Sequence, residues 1–183
     1  MVFRFHTFLF ADLVGFAEFT SHHGDDRGAD LAVSFHERIC GLASELGCHV
    51  VKAIGDGVMV RSENAEAAVT LATRILALAD SEGFPPARVG LDTGPAVERK
   101  GDWFGSTVNT AARVTSSASA GELLMTERTR HAVAGIAGVE LSGRGRRRLK
   151  GLPEHALFGQ SREAPRRARM SVAHRSGARM VRG

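Results

Sequence analysis

Cysteine is scarce in this chain of 183 residues: Cys40 and Cys48 are the only two, and they form no Cys-x-x-Cys pair. That argues against a disulfide-stapled scaffold or a thiolate metal centre, and two reduced thiols point to a cytoplasmic protein. No apolar run approaches the roughly 18 residues that cross a bilayer. The N-terminal MVFRFHTFLFADLVGF lacks a signal peptide's small-residue cleavage site and is interrupted by Asp12, so it reads as a strand rather than a leader. Aromatic residues make up 6% of the chain and gather in that first segment. An RNA-binding sheet would need them on an exposed face, so no nucleic-acid partner is expected. There is no internal repeat and no second domain. Nothing precedes the first strand, so no regulatory module is expected in front of it.

The formal charge of +4 is unevenly spread. Residues 161–183 carry seven arginines against one acid, so residues 1–160 come to −2. The basic balance belongs to a tail without sustained apolar period, expected to be disordered and solvated, behind a domain spanning residues 1–160. An apolar content of 43% is ample for one core.

Apolar periodicity predicts a strand over residues 3–13, a helix from about 26 to 46 and a second helix over 65–79. Between the helices lies VVKAIGDGVMV, two apolar runs around Gly55-Asp56, which reads as a two-residue β-hairpin. His22-His23 is placed in a loop before Gly24. Residues 88–92 and 96–98 read as two strands around Thr93-Gly94-Pro95. A third helix follows, with Ser106 as N-cap, then a strand at 122–125 and short strands to about 158. The order β-α-β-β-α-β predicts an α+β, ferredoxin-like sheet with helices on one face and additional C-terminal strands.

In that topology Asp12, near the end of the first strand, and Asp56, at the hairpin tip, approach at one sheet edge. Side by side, two carboxylates repel and raise each other's proton affinity; a divalent cation resolves the conflict. Oxygen ligands select Mg²⁺ or Mn²⁺. Taken singly, Asp56 could be a plain turn residue and Asp12 a strand-end acid. Farther along, in GDWFGSTVNTAAR, Asn109 and Arg113 stand four apart on one helix face, suited to orienting a sugar and stabilising phosphate charge. A solvated helix face would look the same.

Three blocks carry a resemblance. FADLVGF (10–16), KAIGDG (52–57) and GDWFGSTVNTAAR (101–113) are similar, in order and spacing, to the signature blocks of class III nucleotidyl cyclases, most like bacterial adenylyl cyclases. The similarity covers about residues 5–159. It implies that Asp12 and Asp56, with the Leu13 carbonyl, bind two Mg²⁺ or Mn²⁺ ions per active site. It implies that Lys52 and Asp102 read adenine, where guanylyl cyclases typically carry Glu and Cys. Asn109 would orient the ribose and Arg113 stabilise the α-phosphate. Lys150, Arg99 and Phe16 join the substrate-binding set more loosely.

The implied activity is conversion of ATP to 3′,5′-cyclic AMP and pyrophosphate by a homodimer with two shared sites, each taking its metal acids from one subunit and its purine pair from the other. A guanylyl cyclase and a non-catalytic nucleotide-binding homologue are the alternatives. An Asp-Thr-Gly at 92–94 also occurs in aspartic proteases, but one copy followed by Pro is weak support. The family often has His where Asp92 stands. Asp102, where a bicarbonate-responsive branch has Thr, implies a rate that bicarbonate does not raise.

Overall fold

A computed structural model of the chain describes residues 5–133 and 140–161; the expectation for the tail beyond 161 lies outside them. Strand β1 (Phe5–Leu13) leads into helix α1 (Phe16–His23) and the long α2 (Asp25–Glu45). Strands β2 (His49–Ile54) and β3 (Gly57–Ser62) follow, then α3 (Ala65–Ser81) and β4 (Ala87–Pro95). A small hairpin, β5 (Val97–Arg99) and β6 (Asp102–Phe104), precedes α4 (Ser106–Ser117). The chain closes with β7 (Glu122–Thr126), α5 (Glu127–Ala132), β8 (Ser142–Arg148) and β9 (Glu154–Ser161).

The main sheet runs β2-β3-β1-β4-β7-β9-β8. Its first four strands pair antiparallel in the ferredoxin-like order, and β7 adds parallel to β4. Alternation along β1 sorts the two faces. Leu9, Ala11 and Leu13 join Phe35, Ile39, Leu71 and Ile75 of α2 and α3 in the main core. Phe8 packs instead with Val108 and Ala111 of α4. The expectation of helices on one face is therefore corrected: α4 covers the opposite face. The sequence of α4 carries an apolar stripe at Val108, Ala111 and Ala112, but a stripe does not say which side of a sheet it meets.

Three local readings also change. His22 and His23 close α1 rather than sit in a loop, each Nδ1–H donating to the carbonyl four residues back, at 2.8 and 2.9 Å. Strand β4 runs through Thr93-Gly94-Pro95 because β1 pairs with it as far as Phe5 opposite Pro95. Gly105, not Ser106, is the N-cap of α4. The Gly55-Asp56 loop is as expected, with Ile54 opposite Gly57 and Gly55 at φ 60°.

Asn64 caps α3, its Oδ1 accepting from the amides of Glu66 (2.9 Å) and Ala67 (3.1 Å). Asn64→Ala is expected to lower stability by about 1 kcal/mol, read from the denaturant midpoint, and Asn64→Asp to retain it. Among the described residues no helix is long and apolar enough to cross a membrane.

Candidate active site

The two acids singled out from the sequence meet at one end of the sheet. Asp12 is the penultimate residue of β1, and Asp56 sits at the tip of the β2–β3 turn. The Leu13 amide donates to Asp56 Oδ2 at 2.9 Å, tying the tip to the strand end. Gly57 permits this approach, since a Cβ there would lie 3.1 Å from the Ala11 carbonyl oxygen and 3.5 Å from Asp12 Cβ. Asp12 and Asp56 line one side of a cavity of about 260 Å³, and Ala112 and Ser116 of α4 line the other.

The sequence reading missed a third member. Arg88 stands directly opposite Asp12 in the β1–β4 register and grips it with both arms of its guanidinium, Nε to Oδ1 at 2.6 Å and Nη2 to Oδ2 at 3.0 Å. That bond and the nearby Asp56 charge hold the Arg88 guanidinium above its ordinary range, while burial works against them. Arg88 thus sets a positive charge beside two neighbouring carboxylates. Two carboxylates in one cavity are hard oxygen donors of the kind that fits Mg²⁺ or Mn²⁺, which keep water and phosphate oxygens as their remaining ligands.

A second pair forms elsewhere. Lys52 of β2 donates from Nζ to Asp102 Oδ2 of β6 at 2.5 Å, and Asp102 Oδ1 accepts from the Trp103 amide at 2.8 Å. The Lys52 bond, then the Trp103 amide, hold the Asp102 carboxyl below the usual carboxylate range. The β5–β6 hairpin that presents Asp102 is anchored through Trp103. Its ring lies 5.7 Å from Phe8 and 4.6 Å from His6, with the Arg61 guanidinium 5.1 Å above it. The single tryptophan is thus a second residue the sequence reading left without a role.

Asn109 and Arg113 lie on the exposed side of α4, away from the buried Thr107, Ala111 and Val114. Among the described residues no hydrogen bond or ion pair joins Asp12 and Asp56 to Lys52, Asp102, Asn109 or Arg113. Nor does one join Asn109 or Arg113 to the Lys52–Asp102 pair, so the acids, that pair and the α4 residues are three separate groups within one chain. Of the looser candidates, Lys150 is exposed after β8, Arg99 donates to the Glu98 carbonyl at 2.8 Å, and Phe16 is half-buried against the main core.

The profile of the family described as adenylate and guanylate cyclase catalytic domain matches residues 4–160. The pH-sensitive adenylate cyclase MT1302 of Mycobacterium tuberculosis is 36% identical over 153 residues, covering 80% of this chain and 38% of its own. An adenylate cyclase of Streptomyces griseus is 37% identical over 110 residues, covering 60% of this chain and 28% of its own. The chain thus spans well under half the length of these curated relatives. Among solved structures, the guanylate cyclase domain of RhGC from Catenaria anguillulae in complex with GTP superposes with a TM-score of 0.78 at 22% identity, covering 88% of this chain and 98% of that one.

Proposed function

Since the chain belongs to the adenylate and guanylate cyclase catalytic-domain family, we infer that it converts ATP to 3′,5′-cyclic AMP and pyrophosphate, as a homodimer with two shared sites. The observation that carries the choice of ATP is the Lys52–Asp102 pair. Adenine presents a ring-nitrogen acceptor beside an amine donor, which Lys52 and Asp102 can satisfy together. Guanine turns a carbonyl toward the same edge, and a carboxylate facing it would be repelled. The fold alone does not separate the two nucleotides, since a guanylate cyclase domain superposes on it.

Asp12, Asp56 and the Leu13 carbonyl would hold two divalent cations per site. When bound, Mg²⁺ or Mn²⁺ makes the ribose 3′-hydroxyl more acidic and neutralises charge on the phosphates. The Leu13 amide occupies one oxygen of Asp56 and leaves the other for a cation. Arg88 grips the same Asp12 oxygens that would hold a cation, so its guanidinium would be free to pair with a triphosphate oxygen once Asp12 serves a metal. From the other subunit, Asn109 orients the ribose so that its 3′-oxygen faces the α-phosphorus. Arg113 stabilises the charge that builds on the α-phosphate as that oxygen attacks and pyrophosphate leaves. Lys150 and Arg99 contribute positive charge toward the terminal phosphates, and Phe16 borders the nucleotide.

The homodimer reading is supported by the division of the polar groups within one chain and by the exposure of Asn109 and Arg113. Incubation with Mn²⁺ and either ATP or GTP, followed by product chromatography, tests the activity. Cyclic AMP from ATP is expected. Cyclic GMP as the main product would assign the guanylyl alternative, and no product from either would assign a non-catalytic homologue. A paired substitution, Lys52→Glu with Asp102→Cys, is expected to shift the ratio of kcat/KM values from ATP toward GTP by roughly a hundredfold.

A further inference from the structure

On the sheet face that α4 covers, β4 presents Arg88, Gly90, Asp92 and Gly94 in turn. The two glycines are points of near contact with α4. A Cβ on Gly90 would lie 2.1 Å from the Thr115 amide nitrogen, and one on Gly94 would lie 2.7 Å from Thr107 Oγ1. Thr107 also donates to the Pro95 carbonyl at 2.8 Å, and Thr115 to the Phe10 carbonyl at 3.3 Å. The spacings agree. Four strand residues span about 13 Å and eight helical residues about 12 Å, so the helix rests on the strand at both points without bending.

The two supports differ in stiffness. At Gly90 the helix backbone lies directly on the strand, and nothing there can rotate away. The Gly94 support has a side chain behind it, since a Cβ on Gly94 would also lie 3.2 Å from a terminal nitrogen of Arg128. Arg128, from α5, is held there by Asp92. Its Nη2 pairs with Asp92 Oδ2, and its Nε donates to Oδ1 at 3.3 Å. Asp92 is fully buried, and Oδ1 also accepts from Thr126 Oγ1 at 2.5 Å and the Thr93 amide at 2.9 Å. Burial pushes the Asp92 carboxyl up, while Thr126 and Arg128 pull it down. The Arg128 side chain is 45% exposed, so without the carboxylate it has open solvent to turn into.

We propose that the Asp92–Arg128 ion pair is a positioning unit for the reaction: it backs the Gly94–Thr107 support and so fixes the first turn of α4, where Asn109 stands. This rests on the cyclase reading given above. Asn109 lies two residues past Thr107 and its amide closes the first helical bond, to the Gly105 carbonyl at 3.1 Å. Arg113 lies two residues before Thr115, near the rigid support. Loss of the ion pair therefore displaces Asn109 more than Arg113. An ion pair that only stabilises the fold would not distinguish the two ends of one helix.

Arg128→Gln is the primary variant, because its side chain is partly exposed, and Asp92→Asn is the second. Hydrogen exchange in full-length protein without nucleotide gives the first readout. The amides of residues 109–111 should exchange roughly tenfold faster, and those of 115–117 at the wild-type rate. Kinetics give the second: kcat for cyclic AMP should fall roughly tenfold with KM within about twofold. That fall should vanish in an Asn109→Ala background and persist in an Arg113→Ala background. Equal changes at both helix ends, no change at either, or a fall that persists without Asn109 would each overturn the proposal. If the wild-type chain forms no cyclic nucleotide, the cyclase reading falls. The exchange pattern then still decides whether the ion pair holds the first turn of α4.

Discussion

Asp56→Ala is expected to lower the rate of cyclic AMP formation by roughly a thousandfold at saturating Mn²⁺ and ATP. The size follows from the several kcal/mol of charge stabilisation that a metal clamp contributes, at about 1.4 kcal/mol per tenfold. Structural damage should be small by comparison. The substitution removes one hydrogen bond, from the Leu13 amide, worth about 1 kcal/mol or a few degrees in the unfolding midpoint. Asp56→Asn separates the two roles: it keeps an oxygen for Leu13 and loses the charge. It should melt like wild type by circular dichroism and be nearly as inactive as the alanine variant. An Asn variant with more than a tenth of wild-type activity would mean that Asp56 serves the turn and not a cation.

Gly90→Ala carries the second large effect, and it acts on the other half of the site. The new Cβ would fall 2.1 Å from the Thr115 amide nitrogen and 2.6 Å from Thr115 Cα. Both are backbone atoms of α4, so no side-chain rotation relieves the clash and the helix must lift from β4. Overpacking of this kind costs about 3 kcal/mol or more, and the midpoint should drop by roughly 6–12 °C. Asn109 and Arg113 ride on the displaced helix, so activity should be lost well below the melting temperature. Gly41→Ala is the matched control. A Cβ at Gly41 meets nothing within 4 Å, and the position lies inside α2. It should be neutral or stabilising by about 0.5–1 kcal/mol. Equal behaviour of the two variants in melting and rate would contradict the account of α4.

What could be read from the sequence was what local chemistry determines. Gly55-Asp56 announced its turn because a two-residue hairpin needs those residues within four positions of one another. Asn109 and Arg113 announced a shared face because helix geometry relates residues four apart. Asp12 and Asp56 were legible as a pair only through the expected strand order.

Arg88 was not legible, because its role depends on the β1–β4 register across 76 residues. Asp92 looked like a harmless departure within a strand, since its partners Thr126 and Arg128 lie more than thirty residues on. Trp103 sat next to a residue with a role, and its own packing against His6 and Phe8 ties the β5–β6 hairpin to β1. The side of the sheet that α4 occupies was hidden for the same reason. Each of these depends on a partner distant in the chain.

In the proposed homodimer one subunit supplies the acids and the other the purine pair. Mixing Asp56→Ala with Lys52→Ala protein tests it directly, once labelled subunits show exchange by energy transfer. Each variant alone should be nearly inactive. Random exchange makes about half the dimers mixed, each with one intact site of two, so about a quarter of wild-type cyclic AMP formation should return. No recovery in an exchanged mixture would contradict the shared-site account.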